Sequence, residues 1–366
     1  MRIASLQFFS FRNLADVEVD TSARDIFLVG ENGQGKTNFL EAVYFSSYAS
    51  SFRNANDREI VKIGAKSLCA VIVKRISKDG GDGMTTVKVE NGKKTVVIDG
   101  KKVDDRKELL SVMPCIVFCH EDIAFAAGAP ENRRWFFDQT QSLYDPLYVD
   151  DLRNFRKILK TRNNVLKDSS DFAILDVLDS QLAFYGVNIM RKRAESARLF
   201  SEIFTPLYEK VADIDNIQIR YVPSWKDGTG EGRVIEFLKM KRESDIAFGA
   251  TLSGPHRDRY LFTRGGVEFA RNASTGQRRL LALLLRVAQS RRFSAVTAKK
   301  PILLLDDVLL ELDPEKRRRF LESMPEYNQA FYTFLPEEPY ERYGKAGTIV
   351  YMVADGCFVR EKNSGF

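Results

Sequence analysis

Polar and apolar positions divide the chain into a strand-rich start, a helical middle and a mixed end. In the first third, residues 2–9, 15–19, 25–29, 68–76, 85–90 and 94–98 read as strands, with helices near 36–48 and 104–111. KDGGDG (78–83) is a turn cluster, and Asn91-Gly92 within ENGKK (90–94) signals a hairpin, since both residues tolerate positive φ. From 130 to 213 the period lengthens. LRNFRKILKTRNNVLK and FAILDVLDSQLAFYGVNIM carry apolar residues at three- and four-residue intervals, as helices do. VPSWKDGTGEG (222–232) reads as a loop, followed by a helix at 233–242. Beyond 247 strand-like pieces return, then a helix, GQRRLLALLLRVAQ (276–289), and a buried strand, PILLLDD (301–307). The order predicts one α/β domain interrupted by a mainly helical insertion: 1–125, then 126–245 inserted, then 246–366. The inserted helices read as too short and irregular for a sustained heptad seam.

Composition narrows the class. The 366 residues are 44% hydrophobic and 29% charged, enough apolar material for a real core. No apolar run reaches the roughly 18–20 residues that span a bilayer. The opening MRIASLQFFSFRN reads as a strand and not as a signal peptide, so a cytoplasmic location with no membrane partner is expected. Cys115, Cys119 and His120 invite a metal reading, but their spacing fits no zinc pattern and PCIVFC favours buried thiols. The formal net charge is only +6, so its distribution matters more than its sum. Basic residues crowd RNFRKILKTR (153–162), MRKRAESAR (190–198) and LKMKR (238–242). Each could be a solvated helix face or could meet a polyanion, with Arg153, Arg156 and Lys157 the first candidates for DNA.

The sharpest chemical signal is Gly30-Glu31-Asn32-Gly33-Gln34-Gly35-Lys36-Thr37, a full G-x-x-x-x-G-K-[ST] match between a strand and a helix that Asn38 continues. Glycines let the backbone curl until successive N–H groups face phosphate oxygens, and the helix start adds partial positive charge. Lys36 can reach the β- and γ-phosphates, and the Thr37 hydroxyl can ligate Mg²⁺. PILLLDD supplies the other half. Asp306 at the strand end can hold Mg²⁺, and Asp307 can orient or deprotonate an attacking water. Ser274-Thr275-Gly276-Gln277 opens the later helix and can present a hydroxyl and free N–H groups to an anion, although serine is also a common N-cap.

Taken in order, SFRNL (10–14), GENGQGKTNFLEAV (30–43), IVFCHEDIAFAAGAPENRRWFFD (116–138), LSGPHRD (252–258), STGQRR (274–279) and LLLDDVLLELD (303–313) resemble segments of the SMC/Rad50-like branch of ABC ATPases. A short helical insertion in place of a long coiled coil makes the chain most similar to the RecF family. The resemblance implies an α/β ABC-type P-loop ATPase head with an inserted helical subdomain, using ATP and Mg²⁺. It implies two subunits closing head to head, each ATP lying between one phosphate loop and the other subunit's Ser274 and Gly276, with Asp313 crossing the same interface. It puts Arg12 and Asn13 near the base and phosphates, and leaves Arg133 and Arg134 to DNA or to the dimer. The implied role is ATP-switched binding to gapped or single-strand/double-strand junction DNA, with mediators of the RecR/RecO type as partners. A transporter ATPase subunit and a scaffold with structural nucleotide are the alternatives.

Four departures stand out. Thr275 replaces the usual glutamine, Asp307 stands where transporters carry glutamate, and Leu310 stands where serine is common. No histidine follows the next strand, where Thr333 is the available stand-in for a switch residue. His120 and His256 fall inside family-like motifs and read as structural, although His120-Glu121-Asp122 lies where a γ-phosphate-sensing loop is expected.

Overall fold

The computed structural model describes residues 1–53, 55–65, 68–76, 81–105, 107–168, 172–226, 230–309 and 312–361. The chain forms two compact units, one joining Met1–Asp122 to Phe293–Phe366 and the other comprising Ile123–Arg292.

The first unit holds two six-stranded sheets. One is antiparallel, in the order Glu18–Asp20, Arg2–Phe9, Leu68–Ile76, Asp82–Glu90, Lys93–Ile98, Lys101–Lys102. Asn91 and Gly92 turn its central hairpin with φ of 49° and 75°, the two positive values that a two-residue turn requires. The other runs Cys357–Arg360, Ile349–Ala354, Asp25–Val29, Gln329–Phe334, Ile302–Leu305, Cys115–Phe118, parallel apart from its first pair. Asp25–Val29, Gln329–Phe334 and Ile302–Leu305 are buried at every residue, which is why their sequences are apolar runs without alternation. Neighbours in this sheet come from opposite ends of the chain, so the intervening residues can be spliced out as a separate unit.

The helix Lys36–Tyr48 packs between the sheets and is buried nearly all round. Phe39 sits 5.4 Å from Phe8 of the antiparallel sheet and 5.8 and 5.1 Å from Phe331 and Phe358 of the parallel one. That packing aims the start of the helix at the carboxyl ends of the parallel strands.

The second unit packs the helices Pro130–Ser142, Pro146–Asp168, Phe172–Ala212 and Glu231–Phe248 with a three-stranded antiparallel sheet, Val267–Glu268, Arg259–Arg264, Ile217–Val222. Its core includes Tyr148, Leu152, Phe155, Leu182, Ile189 and Leu238 around Trp225. A Cβ on Gly186 would lie 2.5 Å from the Trp225 ring, so only glycine fits beneath it. Two expectations change here. Residues 246–292, expected in the head, belong to this unit because Arg259–Arg264 pairs along its length with Ile217–Val222. The inserted helices, expected to be short, include one of 41 residues with Pro206 inside it. A proline normally ends a helical pattern, and here it hides the helix's length.

Candidate nucleotide-binding site

The loop between Asp25–Val29 and Lys36–Tyr48 is built to a shape that its own neighbours enforce. Gly33 and Gly35 take φ of 81° and 115°, in the region that favours glycine. A Cβ on Gly30 would meet the Val353 carbonyl oxygen at 2.3 Å. Asn13 Nδ2 donates to the Gly33 carbonyl at 3.0 Å, and Asn38 Nδ2 donates to Asn13 Oδ1 at 2.7 Å. The turn between the last two strands buttresses the loop from the other side. Asp355 N–H donates to Gln34 Oε1 at 2.6 Å and Gly356 N–H to the Gln34 carbonyl at 2.9 Å. Lys36 is buried, its ammonium bonded to the carbonyls of Gly30 at 2.5 Å and Glu31 at 3.1 Å. Glu31, Asn32 and Gly33 face solvent. The helix's first-turn N–H groups have no acceptor within the helix, so the loop is an anion cradle.

Three adjacent parallel strands bring the remaining chemistry to this cradle. Asp306 and Asp307 follow Ile302–Leu305, Thr333 lies near the end of Gln329–Phe334, and the phosphate loop follows Asp25–Val29. Thr37 Oγ1 donates to Asp306 Oδ1 at 2.9 Å. Thr333 Oγ1 lies 2.7 Å from Asp307 Oδ1 and 3.2 Å from Asp306 Oδ1. Burial, then the negative charge of Asp307, pushes the Asp306 carboxyl up to about 6, against hydrogen bonds from Thr37 and Thr333 that hold it down. Glu121, exposed beyond the neighbouring strand Cys115–Phe118, adds to the upward push. A site that disfavours a bare carboxylate is one that a cation relieves. Thr37 and Asp306 together fit Mg²⁺, which takes one or two protein oxygens and keeps water and phosphate for the rest of its shell.

His120-Glu121-Asp122 forms a short 3₁₀ turn beyond that strand. Asp122 is buried and accepts the Cys119 N–H at 3.1 Å, whereas His120 and Glu121 are exposed. Cys69, Cys115 and Cys119 are buried and Cys357 is exposed; among the described residues no cluster of three or more metal-ligating side chains forms. Glu338, which sequence offered no reason to single out, is buried and accepts the Leu335 N–H at 2.7 Å. Burial pushes its carboxyl up, the Leu335 bond holds it down, and Asp307 and Lys36 act on it with opposite signs.

Ser274 and Gln277 cap the helix Thr275–Thr297 reciprocally. Ser274 Oγ accepts the Gln277 N–H at 3.2 Å and Gln277 Oε1 accepts the Ser274 N–H at 2.8 Å. Ser274, Thr275 and Gly276 are exposed, and nothing lies within 4 Å of where a Gly276 Cβ would stand. Asp313 is the exposed N-cap of Pro314–Glu322, accepting the Lys316 N–H at 2.9 Å, and Lys316 holds its carboxyl below the usual range. Leu310, the expected departure from serine, lies outside the described residues.

Some expected residues are committed elsewhere. Arg12 is engaged by the helix after the loop: its guanidinium forks onto Glu41, with Nε and Nη2 each at 2.8 Å, and bonds the Glu59 carbonyl at 2.7 Å. Glu41, on the phosphate-loop helix, is fully buried and needs that cation. Arg133 is buried and donates to the carbonyls of Tyr260 and Ala126, at 3.0 and 2.9 Å, which removes it as a DNA contact. Arg134 donates to the Asp258 carbonyl at 2.7 Å. Each basic cluster also spends one arginine internally. Arg162 pairs with Asp179 and Asp245, Arg193 with Asp138 and Asp258, and Arg242 with Asp179. Arg153, Arg156 and Lys157 remain on the exposed face of Pro146–Asp168, with Asp150 3.9 Å from Arg153. His256 is structural. Its Nε2 lies 2.9 Å from the Thr251 carbonyl, and burial lowers its pKa to about 4.

The cradle, the paired carboxylates and the capped Ser-x-Gly helix define a P-loop ATPase head of the ABC type. The model of the RecF/RecN/SMC N-terminal domain matches residues 2–357. A DNA replication and repair protein RecF from Treponema pallidum (strain Nichols) is 44% identical over 350 residues, spanning 95% of this chain and 98% of that one. The solved structure of the recombination mediator RecF with ATP, from the RecFOR pathway, superposes with a TM-score of 0.89 at 25% identity, covering 98% and 97% of the two chains. An Smc head solved with the C-terminal winged-helix domain of ScpA shares the fold, with a TM-score of 0.56 at 14% identity over 99% and 98%. The chain belongs to the RecF family of DNA replication and repair proteins.

Proposed function

We propose that the chain is a slow, Mg²⁺-dependent ATPase that closes as an ATP-sandwiched homodimer on gapped or single-strand/double-strand junction DNA. In this role it helps cytoplasmic mediators of the RecR/RecO type load a recombinase. The observation that carries the reading is the convergence of Thr37, Asp306, Thr333 and Asp307 at the mouth of the phosphate loop. Lys36 binds the terminal phosphates when nucleotide enters the cradle, giving up carbonyl bonds that hold its ammonium nearby. Thr37 and Asp306 would hold Mg²⁺, which supplies charge neutralisation on the phosphates. Asp307 orients the attacking water and accepts its proton. An aspartate reaches one methylene less far than a glutamate, which supports slow turnover.

Gly276 supports the sandwich. Glycine is disfavoured in helices relative to alanine, yet among the described residues nothing beyond the adjoining backbone lies within 4 Å of a Cβ there. Close approach of a phosphate to the helix start is a use that a glycine at this position serves.

The test is fluorescence anisotropy of a labelled gapped duplex, titrated with wild type and Lys36→Ala in ATP–Mg²⁺ or ADP. Tight, salt-sensitive binding that requires ATP and vanishes in Lys36→Ala is expected. Equal binding in ATP, in ADP and by the variant would remove the nucleotide switch.

A further inference from the structure

Thr333 stands on the strand between the one that feeds the phosphate loop and the one that ends in the aspartates. It is 4% exposed, so water does not compete for its hydroxyl. Three groups meet there: the Asp307 N–H at 2.8 Å, Asp307 Oδ1 at 2.7 Å and Asp306 Oδ1 at 3.2 Å. A threonine hydroxyl has one proton and two lone pairs. One lone pair takes the N–H, and the proton is shared between the two carboxylates, with the shorter contact favouring Asp307.

Both bonds act on Asp307. Its backbone has φ of 51°, a left-handed conformation uncommon outside glycine, asparagine and aspartate, and the Thr333 hydroxyl accepts the N–H of that turn. The same hydroxyl that anchors this turn also fixes the carboxylate, so backbone and side chain are held as one piece.

We propose that Thr333 is the positioning residue of ATP hydrolysis, holding Asp307 in the geometry that presents its carboxylate to the attacking water. The inference rests on the assignment of Asp306 and Asp307 as the carboxylates of hydrolysis. It accounts for how this head works with no histidine after that strand: a hydroxyl braces the carboxylate from behind.

Three variants separate the possibilities: Thr333→Val, which keeps the branched shape and loses the hydroxyl, Thr333→Ser, which keeps the hydroxyl, and Asp307→Asn. Phosphate release gives kcat, a fluorescent ATP analogue with Mg²⁺ gives nucleotide affinity, and calorimetry gives Tm. Thr333→Val should lower kcat about 10- to 100-fold while nucleotide affinity stays within about threefold, and Thr333→Ser should restore most of the turnover. Wild-type kcat in Thr333→Val, beside lost turnover in Asp307→Asn, overturns the positioning role and leaves the carboxylates in place. Wild-type kcat in Asp307→Asn overturns the carboxylate assignment, and the proposal with it. Parallel loss of turnover, affinity and Tm in Thr333→Val, unrelieved by serine, makes Thr333 merely structural.

Discussion

Arg12→Ala tests whether the segment after the first strand touches nucleotide or holds the loop's helix. Glu41 is fully buried on that helix, and its partners are the Arg12 fork, at 2.8 Å to each oxygen, and the Ser51 hydroxyl. Removing the cation leaves a buried carboxylate with one neutral donor. Breaking a buried pair from one side costs about 3–5 kcal/mol. The Arg12 side chain is 18% exposed, so water reaches the gap and the lower end, about 3 kcal/mol, is expected. At about 2–4 °C per kcal/mol for a unit of this size, Tm should fall by about 6–12 °C in calorimetry. ATP affinity, measured well below the transition, should stay close to wild type. Adding Glu41→Gln to Arg12→Ala should recover part of the lost stability, because the uncompensated charge goes with it. An unchanged Tm with lost ATP affinity would refute the reasoning and put Arg12 at the nucleotide, as the family resemblance implies.

Two further outcomes can be measured. Gly276→Ala should leave the protomer as stable or raise it by up to about 1 kcal/mol, yet abolish ATP-dependent association in light scattering; a variant that still associates removes glycine's external role. His256 titrates near 6.5 when unfolded and at about 4 when folded, so below 6.5 the unfolded chain takes up a proton that the folded one refuses. Stability is therefore full above 6.5 and falls towards pH 4 by up to about 3 kcal/mol. Denaturant melts of wild type and His256→Gln across that window should show a shallower fall in the variant, and identical slopes would contradict it.

The phosphate loop and the DD strand were legible because both are local: a glycine pattern sets a turn, and an apolar run ending in carboxylates sets a strand end. The doubly buried strands were legible for the same reason. The partners of Arg12, Arg133 and the basic clusters were not, because the acids that claim them lie far away in sequence. Asp179 lies 17 residues from Arg162, but Asp245 lies 83 away, and Glu268 lies 135 from Arg133. Clusters that read as a surface for polyanions each contain an arginine that belongs to the interior. Ile217–Val222 did carry a visible signal, the alternation I-Q-I-R-Y-V with a burial pattern to match, and its strand partner explains why 246–292 packs with the inserted residues. Glu338 and the Asp355–Gly356 buttress had no motif to announce them; only the folded chain brings them to the loop.

The central claim is that ATP closes two copies of this head over DNA. Its most direct test is the molar mass in solution of Asp307→Asn, with ATP and Mg²⁺, with and without gapped duplex. The account predicts a dimer that requires ATP and tightens on DNA. A monomer under every condition, with ATP demonstrably bound, would contradict it.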